Sequence, residues 1–153
     1  MVTDALNHLI ELSGNVSDSY TTALYIVDYN NEYLLLRDHL SINPRTRLRQ
    51  KIALDKEPLG SLTKSRKPLV INRFDENIFH KNLFKKREEV KSLLIMPVFH
   101  DKLEGFLFAA SKSGYSYPPK MQKIFSGFAD QIAWHIQQET PPAKVRRRSW
   151  LSL

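Results

Sequence analysis

Apolar residues in the opening segment recur at spacings of three and four. Val2, Ala5, Leu6, Leu9, Ile10, Leu12 and Val16 therefore share one side of a first helix, which the pattern ends near Gly14. The period then shortens to that of strands. Ala23 to Val27 and Tyr33 to Arg37 are short apolar, β-branched or aromatic runs flanking Asp28, Asn30 and Asn31, residues suited to a tight hairpin turn. A third extended run is predicted over Arg45 to Leu54, where Arg45, Arg47, Arg49 and Lys51 alternate with Thr46, Leu48, Gln50 and Ile52, giving one cationic side. Pro58 opens a short helix over Glu57 to Lys67, and Pro68 to Ile71 reads as a strand. Asn72 to Lys91 reads as loop with one helix. It carries Phe74, Ile78, Phe79, Leu83, Phe84 and Val90 among many charges.

The segment Lys91 to Ser111 (KSLLIMPVFHDKLEGFLFAAS) reads as two apolar strands around a polar turn, with Pro97 inside the first. Pro118 and Pro119 precede a last helix bearing Met121, Ile124, Phe125, Phe128, Ile132 and Ile136 on one side, and Pro141 with Pro142 is expected to stop it. Hairpin-linked strands with helices at both chain ends imply an α+β domain around an antiparallel sheet of about six strands. The boundary falls at residue 140, with 141–153 as a basic tail or linker.

Composition narrows the possible chemistry. A chain of 153 residues forms one domain and buries about two-thirds of its unfolded surface. The longest apolar run, Leu93 to Phe99, is too short to span a bilayer, and the N-terminus lacks the features of a secretory leader, so a cytoplasmic protein is expected. The absence of cysteine excludes disulfides and thiol chemistry. Of the net charge of +7, Lys144, Arg146, Arg147 and Arg148 contribute four, so the body is only mildly basic. The tail reads chiefly as solvated linker, with a basophilic kinase-like pattern ending at Ser149. A nucleic-acid or membrane adaptor using the tail and the Arg45 to Lys51 stripe is the third-ranked reading.

The central segment resembles the GAF domain, a regulatory module of signalling proteins with PAS-like architecture. Ser92, Leu93, Leu94, Ile95, Met96, Pro97, Val98, Asp101 and Gly105 follow that family's pattern of a serine and apolar residues leading to a proline, a polar turn and a glycine. Ala23 to Asp28, Pro58 to Ile71, and Ala129, Gln131, Ile132 and Ala133 match on either side. The resemblance spans about residues 1 to 139. It implies terminal helices on one side of the sheet and a lid of helix and loop on the other. Pro97 is expected at an edge or bulge and Gly105 to relax the turn into the next strand.

Each use known for GAF domains makes a demand on residues. Bilin attachment and free methionine sulfoxide reduction both need cysteine, which is absent. The cyclic-nucleotide signature should follow the late strand, where Ser111 to Lys120 keeps Lys112 and offers Tyr117 but lacks the acidic pair. Asn72 to Glu76 spells a similar string in the wrong place. His8, His39, His80, His100 and His135 show no ligand-like spacing, which argues against haem or a metal; only His80, in the lid, is a ligand candidate. No nucleophile elbow or phosphate-cradling glycine loop appears, so a non-catalytic domain with no identified cofactor is expected.

By resemblance, the pocket would lie between sheet and lid, lined by Phe74, Asp75, Phe79, His80, Phe84, Met96, Phe108 and Ser111, a set suited to a small planar or amphipathic molecule. The same residues filling a core would instead leave an interaction module of the same fold. GAF domains in sensor kinases, cyclases and transcription activators also pair through their terminal helices, which implies a homodimer and an output domain. Leu6, Leu9, Leu12, Ile132 and Trp134 are the candidate seam, with Leu12 and Trp134 the surplus beyond what covers the sheet.

Overall fold

The computed structural model describes the backbone of residues 2–152 and the side chains of residues 5–139. The chain runs α1 (Val2–Ser17), β1 (Thr21–Val27), β2 (Tyr33–Ser41), β3 (Lys51–Ala53), α2 (Leu59–Ser65), β4 (Leu69–Asn72), a 3-10 turn (Phe74–Glu76), α3 (His80–Leu83), β5 (Ser92–His100), β6 (Lys102–Ser111) and α4 (Pro119–Ser152). The strands form a six-stranded antiparallel sheet in the order β3-β2-β1-β6-β5-β4. This is the α+β architecture expected, and its two faces are covered differently.

One face carries α1 and α4. Leu6 and Ile10 of α1 and Phe125, Ala129, Ile132, Ala133 and Ile136 of α4 close over Leu24, Leu94, Met96, Val98, Leu107 and Ala109. The other face, built from alternate residues of the same strands, is covered by the lid between β4 and β5 and by the chain leading into β3. Burial on both faces explains why β5 reads as an unbroken apolar run instead of an alternating one.

Several elements depart from the sequence pattern for identifiable reasons. Helix α1 runs through Gly14, where an added Cβ would lie 2.7 Å from Thr22 Oγ1, so the glycine lets the helix approach β1 and does not end the helix. The third strand is only three residues long. Arg47 and Arg49 direct backbone groups to the lid instead: Arg49 N–H donates to Leu83 O at 2.8 Å and Lys85 N–H to Arg47 O at 2.9 Å. The cationic side of that run still faces solvent, with Thr46 and Leu48 turned inward.

Gly105 does not serve the turn, which is made by Asp101 at φ 68°. A Cβ at Gly105 would sit 2.0 Å from the backbone oxygen of Tyr25, so its role is close approach beside the β5 irregularity at Val98 and Phe99. Pro97 lies beyond the last β4 rung, Leu69↔Ile95, while its pairing with Phe106 of β6 continues. Its missing donor therefore falls where β5 has no neighbour on that side. Pro141 and Pro142 do not end α4, which continues to Ser152, because proline's fixed φ is itself helical even though its missing N–H removes rungs.

Candidate functional site

The lid is held down by a small polar network. Phe74 N–H donates to Lys91 O at 3.0 Å, closing the loop at its neck. Inside it, His80 Nε2 lies 2.9 Å from the carbonyl oxygen of Glu88, and the Glu88 carboxylate accepts from Tyr20 Oη at 3.0 Å and from Thr46 Oγ1. Glu88 thus ties the lid to the start of β1 and to the chain before β3. Sequence reading missed this residue, since a glutamate among lysines gives no sign that its carboxylate turns inward.

Beneath the lid the aromatic side chains pack on one another. Phe74 lies 6.4 Å from Phe79 and 6.3 Å from Phe84, centroid to centroid, and Phe79 stacks on Phe108 at 6.2 Å. Tyr25 meets the edge of Phe108 at 5.3 Å, and Phe106 lies 6.2 Å from it. The His80 ring sits between Phe74 and Phe84 at 5.2 and 5.1 Å. All of these side chains are buried. Tyr25 and Phe106 complete the cluster, and their lid-facing strand positions, alternating with Leu24 and Leu107, were the signal available in the sequence. Tyr25 Oη donates to Arg49 O at 2.6 Å, and burial pushes its phenol above the ordinary range.

The candidate pocket residues are therefore divided. Phe74, Phe79, His80, Phe84 and Phe108 come together under the lid. Asp75 stands half-buried at its outer side. Met96 does not join them: it belongs to the opposite core beneath the terminal helices, because its strand parity places it with Leu94 and Val98. Ser111 shares a rung with Ser92 at the end of β6 and ties down the following loop, accepting from Ser113 N–H at 3.1 Å and Ser116 Oγ at 2.8 Å. A cleft of about 440 Å³ opens on the outer surface of the lid, lined by Asp75, Asn77, Ile78, His80, Phe84 and neighbouring cations.

Among the described residues no group of histidines and carboxylates is placed to hold a metal ion. No helix among them is long and apolar enough to cross a membrane.

The seam candidates divide as well. Leu6 and Ile132 are buried against the sheet and unavailable to a partner. Leu9 is partly buried beside them. Leu12 and Trp134 are 51% and 52% exposed, as is Val16 at 51%.

A family profile described as GAF domain matches residues 1–137. The chain belongs to the GAF domain family. No curated protein matches the sequence. Solved structures agree with the fold. The GAF domain of a phosphoenolpyruvate-protein phosphotransferase from Coxiella burnetii superposes with a TM-score of 0.75 at 13% identity, over 94% of this chain and 86% of that one. The corresponding Acinetobacter domain gives 0.74 at 16% identity, over 90% and 83%. A free methionine-R-sulfoxide reductase from Neisseria meningitidis, in complex with its substrate, gives 0.73 at 14% identity, over 90% and 78%. The fold therefore occurs both in domains of larger proteins and in an enzyme. GAF domains as a family are sensory and regulatory modules, and that general role extends to this one.

Proposed function

We propose that this GAF domain is a non-catalytic regulatory module that acts by self-association through its terminal helices, its interior filled by its own aromatic residues. The observation that carries the reading is the apolar surface of α1 and α4 left over after the sheet is covered. Leu12 and Val16 are one turn apart on α1, outside the buried stripe of Leu6, Ile10 and Ser13, and Trp134 stands exposed on α4 against the edge of His135 at 5.0 Å. Apolar residues flanking a core stripe on two adjacent helices suit an isologous helical interface. The packed rings beneath the lid support the interaction-module reading over an internal ligand pocket. An output domain joined to α4, such as a kinase, cyclase or transcription activator, would receive the signal as a shift of that helix.

Light scattering coupled to size exclusion tests the association. The wild-type chain should run as a dimer and the Leu12→Lys Trp134→Asp variant as a folded monomer; a wild-type monomer at every concentration would remove the proposal.

A second reading keeps a small ligand, in the outer lid cleft and not under the lid. Its volume of about 440 Å³ lies in the range of small-molecule sites, and Asp75, Asn77 and His80 supply polar groups beside Phe84. Native mass spectrometry of the purified protein, followed by a thermal-shift screen of nucleotides, haem and amphipathic metabolites, decides it, since a ligand bound only to the folded state raises the melting temperature.

A further inference from the structure

The two ends of the sheet differ in charge. At one end lie the connections 18–20, 42–50, 73–91 and 112–118, because β1 and β5 begin there and β2, β4 and β6 finish there, as the pairings Thr21↔Ser41, Thr21↔Ala110, Asn72↔Ser92 and Ser92↔Ser111 require. These four connections hold ten lysines and arginines against five carboxylates. The connections at the other end, 28–32, 54–68 and residue 101, hold four against five. The basic character of the body is thus concentrated at the lid end.

That end also carries apolar side chains in the open. Ile42, Ile78 and Tyr115 are 71%, 74% and 80% exposed, the highest values among the exposed large hydrophobic residues described, and each sits on a different connection there. Ile42 follows β2, with its N–H donating to Tyr20 O at 2.9 Å. Ile78 stands on the lid, in the cleft shared with Lys81, Lys85, Lys86 and Arg87. Tyr115 is held at φ 60° in the loop after Lys112, whose ammonium lies 4.6 Å from the Tyr20 ring centroid.

None of these cations forms an ion pair among the described residues. Arg47 and Arg49 give hydrogen bonds to backbone carbonyls, of Pro44 at 2.9 Å and of Lys81 at 3.2 Å, so their positions are set while their charge stays uncompensated. The carboxylate of Glu88 is turned inward.

We propose that this end docks on an anionic phospholipid surface, with Ile42, Ile78 and Tyr115 entering the interfacial layer and the surrounding cations facing lipid phosphates and carboxylates. Charge without apolar tips would suit any polyanion. A single exposed ring, Tyr115, beside two aliphatic tips on separate connections makes no platform on which successive nucleic-acid bases could stack, whereas a bilayer interface accepts both isoleucine and an amphipathic tyrosine. The combination of basic residues and shallow apolar insertion is the chemistry of reversible attachment to a charged leaflet.

The test is co-sedimentation of the full chain with phosphatidylcholine vesicles, with and without phosphatidylserine, beside fluorescence anisotropy with a labelled single-stranded oligonucleotide. The protein should partition onto the phosphatidylserine vesicles and not onto phosphatidylcholine alone. Lys85→Ala Lys86→Ala should lower that partition by about tenfold to thirtyfold. Ile42→Ser Ile78→Ser, at exposed positions where folding is retained, should lower it by about tenfold at unchanged charge. Partition untouched by both double variants would assign the binding to the terminal basic run and overturn the proposal. Failure to bind charged vesicles, or binding of the oligonucleotide alone, would overturn it equally.

Discussion

Replacing Phe79 with alanine separates a filled interior from a pocket awaiting a ligand. Its ring is fully buried, 6.4 Å from Phe74 and stacked on Phe108 at 6.2 Å, so truncation removes packing on at least two sides. Two effects add: loss of apolar transfer energy, and a residual cavity that the rigid sheet on one side cannot collapse. Together they should cost about 3–5 kcal/mol, as for other buried phenylalanines. For a domain of this size that corresponds to a fall in melting temperature of roughly 6–20 °C. Urea denaturation should show a lower midpoint at an unchanged slope. The dry void left behind should also take up small apolar molecules, and benzene should recover part of the loss. A cost below about 1 kcal/mol would mean that the ring borders open space, and the filled-interior account would fail.

Other substitutions test the same frame. Gly105→Ala forces a Cβ against the backbone oxygen of Tyr25, in the middle of the sheet, and should cost about 3 kcal/mol or prevent folding, while Gly114→Ala, with nothing within 4 Å, should stay within about 0.5 kcal/mol in chemical denaturation. Burial raises the Tyr25 and Tyr117 phenols above their ordinary range, with desolvation outweighing the hydrogen bond from Ser19 at Tyr117. Their stabilising contribution is then complete below a pH of about 10 and declines as pH rises past it, because the unfolded chain ionises first. Tyr25→Phe Tyr117→Phe should flatten that alkaline decline in denaturation free energy plotted against pH. The Arg37 to Glu139 ion pair joins β2 to α4 at a partly exposed position, so Glu139→Gln should cost less than about 1 kcal/mol, and less still in high salt.

The fold was legible because its main signals are periodic. The three-four spacing of α1 and α4 and the apolar runs of β1, β2, β5 and β6 each point to one element, and the Pro97 to Gly105 hairpin ties them to a family. Where the reading went astray, a tertiary contact overrode a local cue. Arg47 and Arg49 alternate as a strand should, yet their backbone partners lie in the lid, at Lys85 and Leu83, 34 to 38 residues away. Gly105 looks like a turn residue, but its requirement comes from Tyr25 on a neighbouring strand.

The site was less legible. The lid aromatics were recognisable, while their mutual packing depends on ring positions that no spacing encodes. Met96 was misplaced because a strand buried on both faces loses the alternation that would assign each residue to a side. Leu12 and Trp134, read as surplus to the sheet, are exposed, while Leu6 and Ile132, placed in the same candidate seam, are core because the orientation of α1 and α4 over the sheet buries them.

Association through α1 and α4 is the central claim, and a distance measurement between copies addresses it directly. The chain contains no cysteine, so Glu11→Cys, at an exposed position of α1 turned away from Leu12 and Val16, carries one spin label per molecule. Pulsed dipolar spectroscopy should then show a defined distance between labels in two copies, and adding Leu12→Lys should abolish it. The absence of any defined distance in the singly substituted protein at dimer-forming concentrations, or one that survives Leu12→Lys unchanged, would contradict the claim.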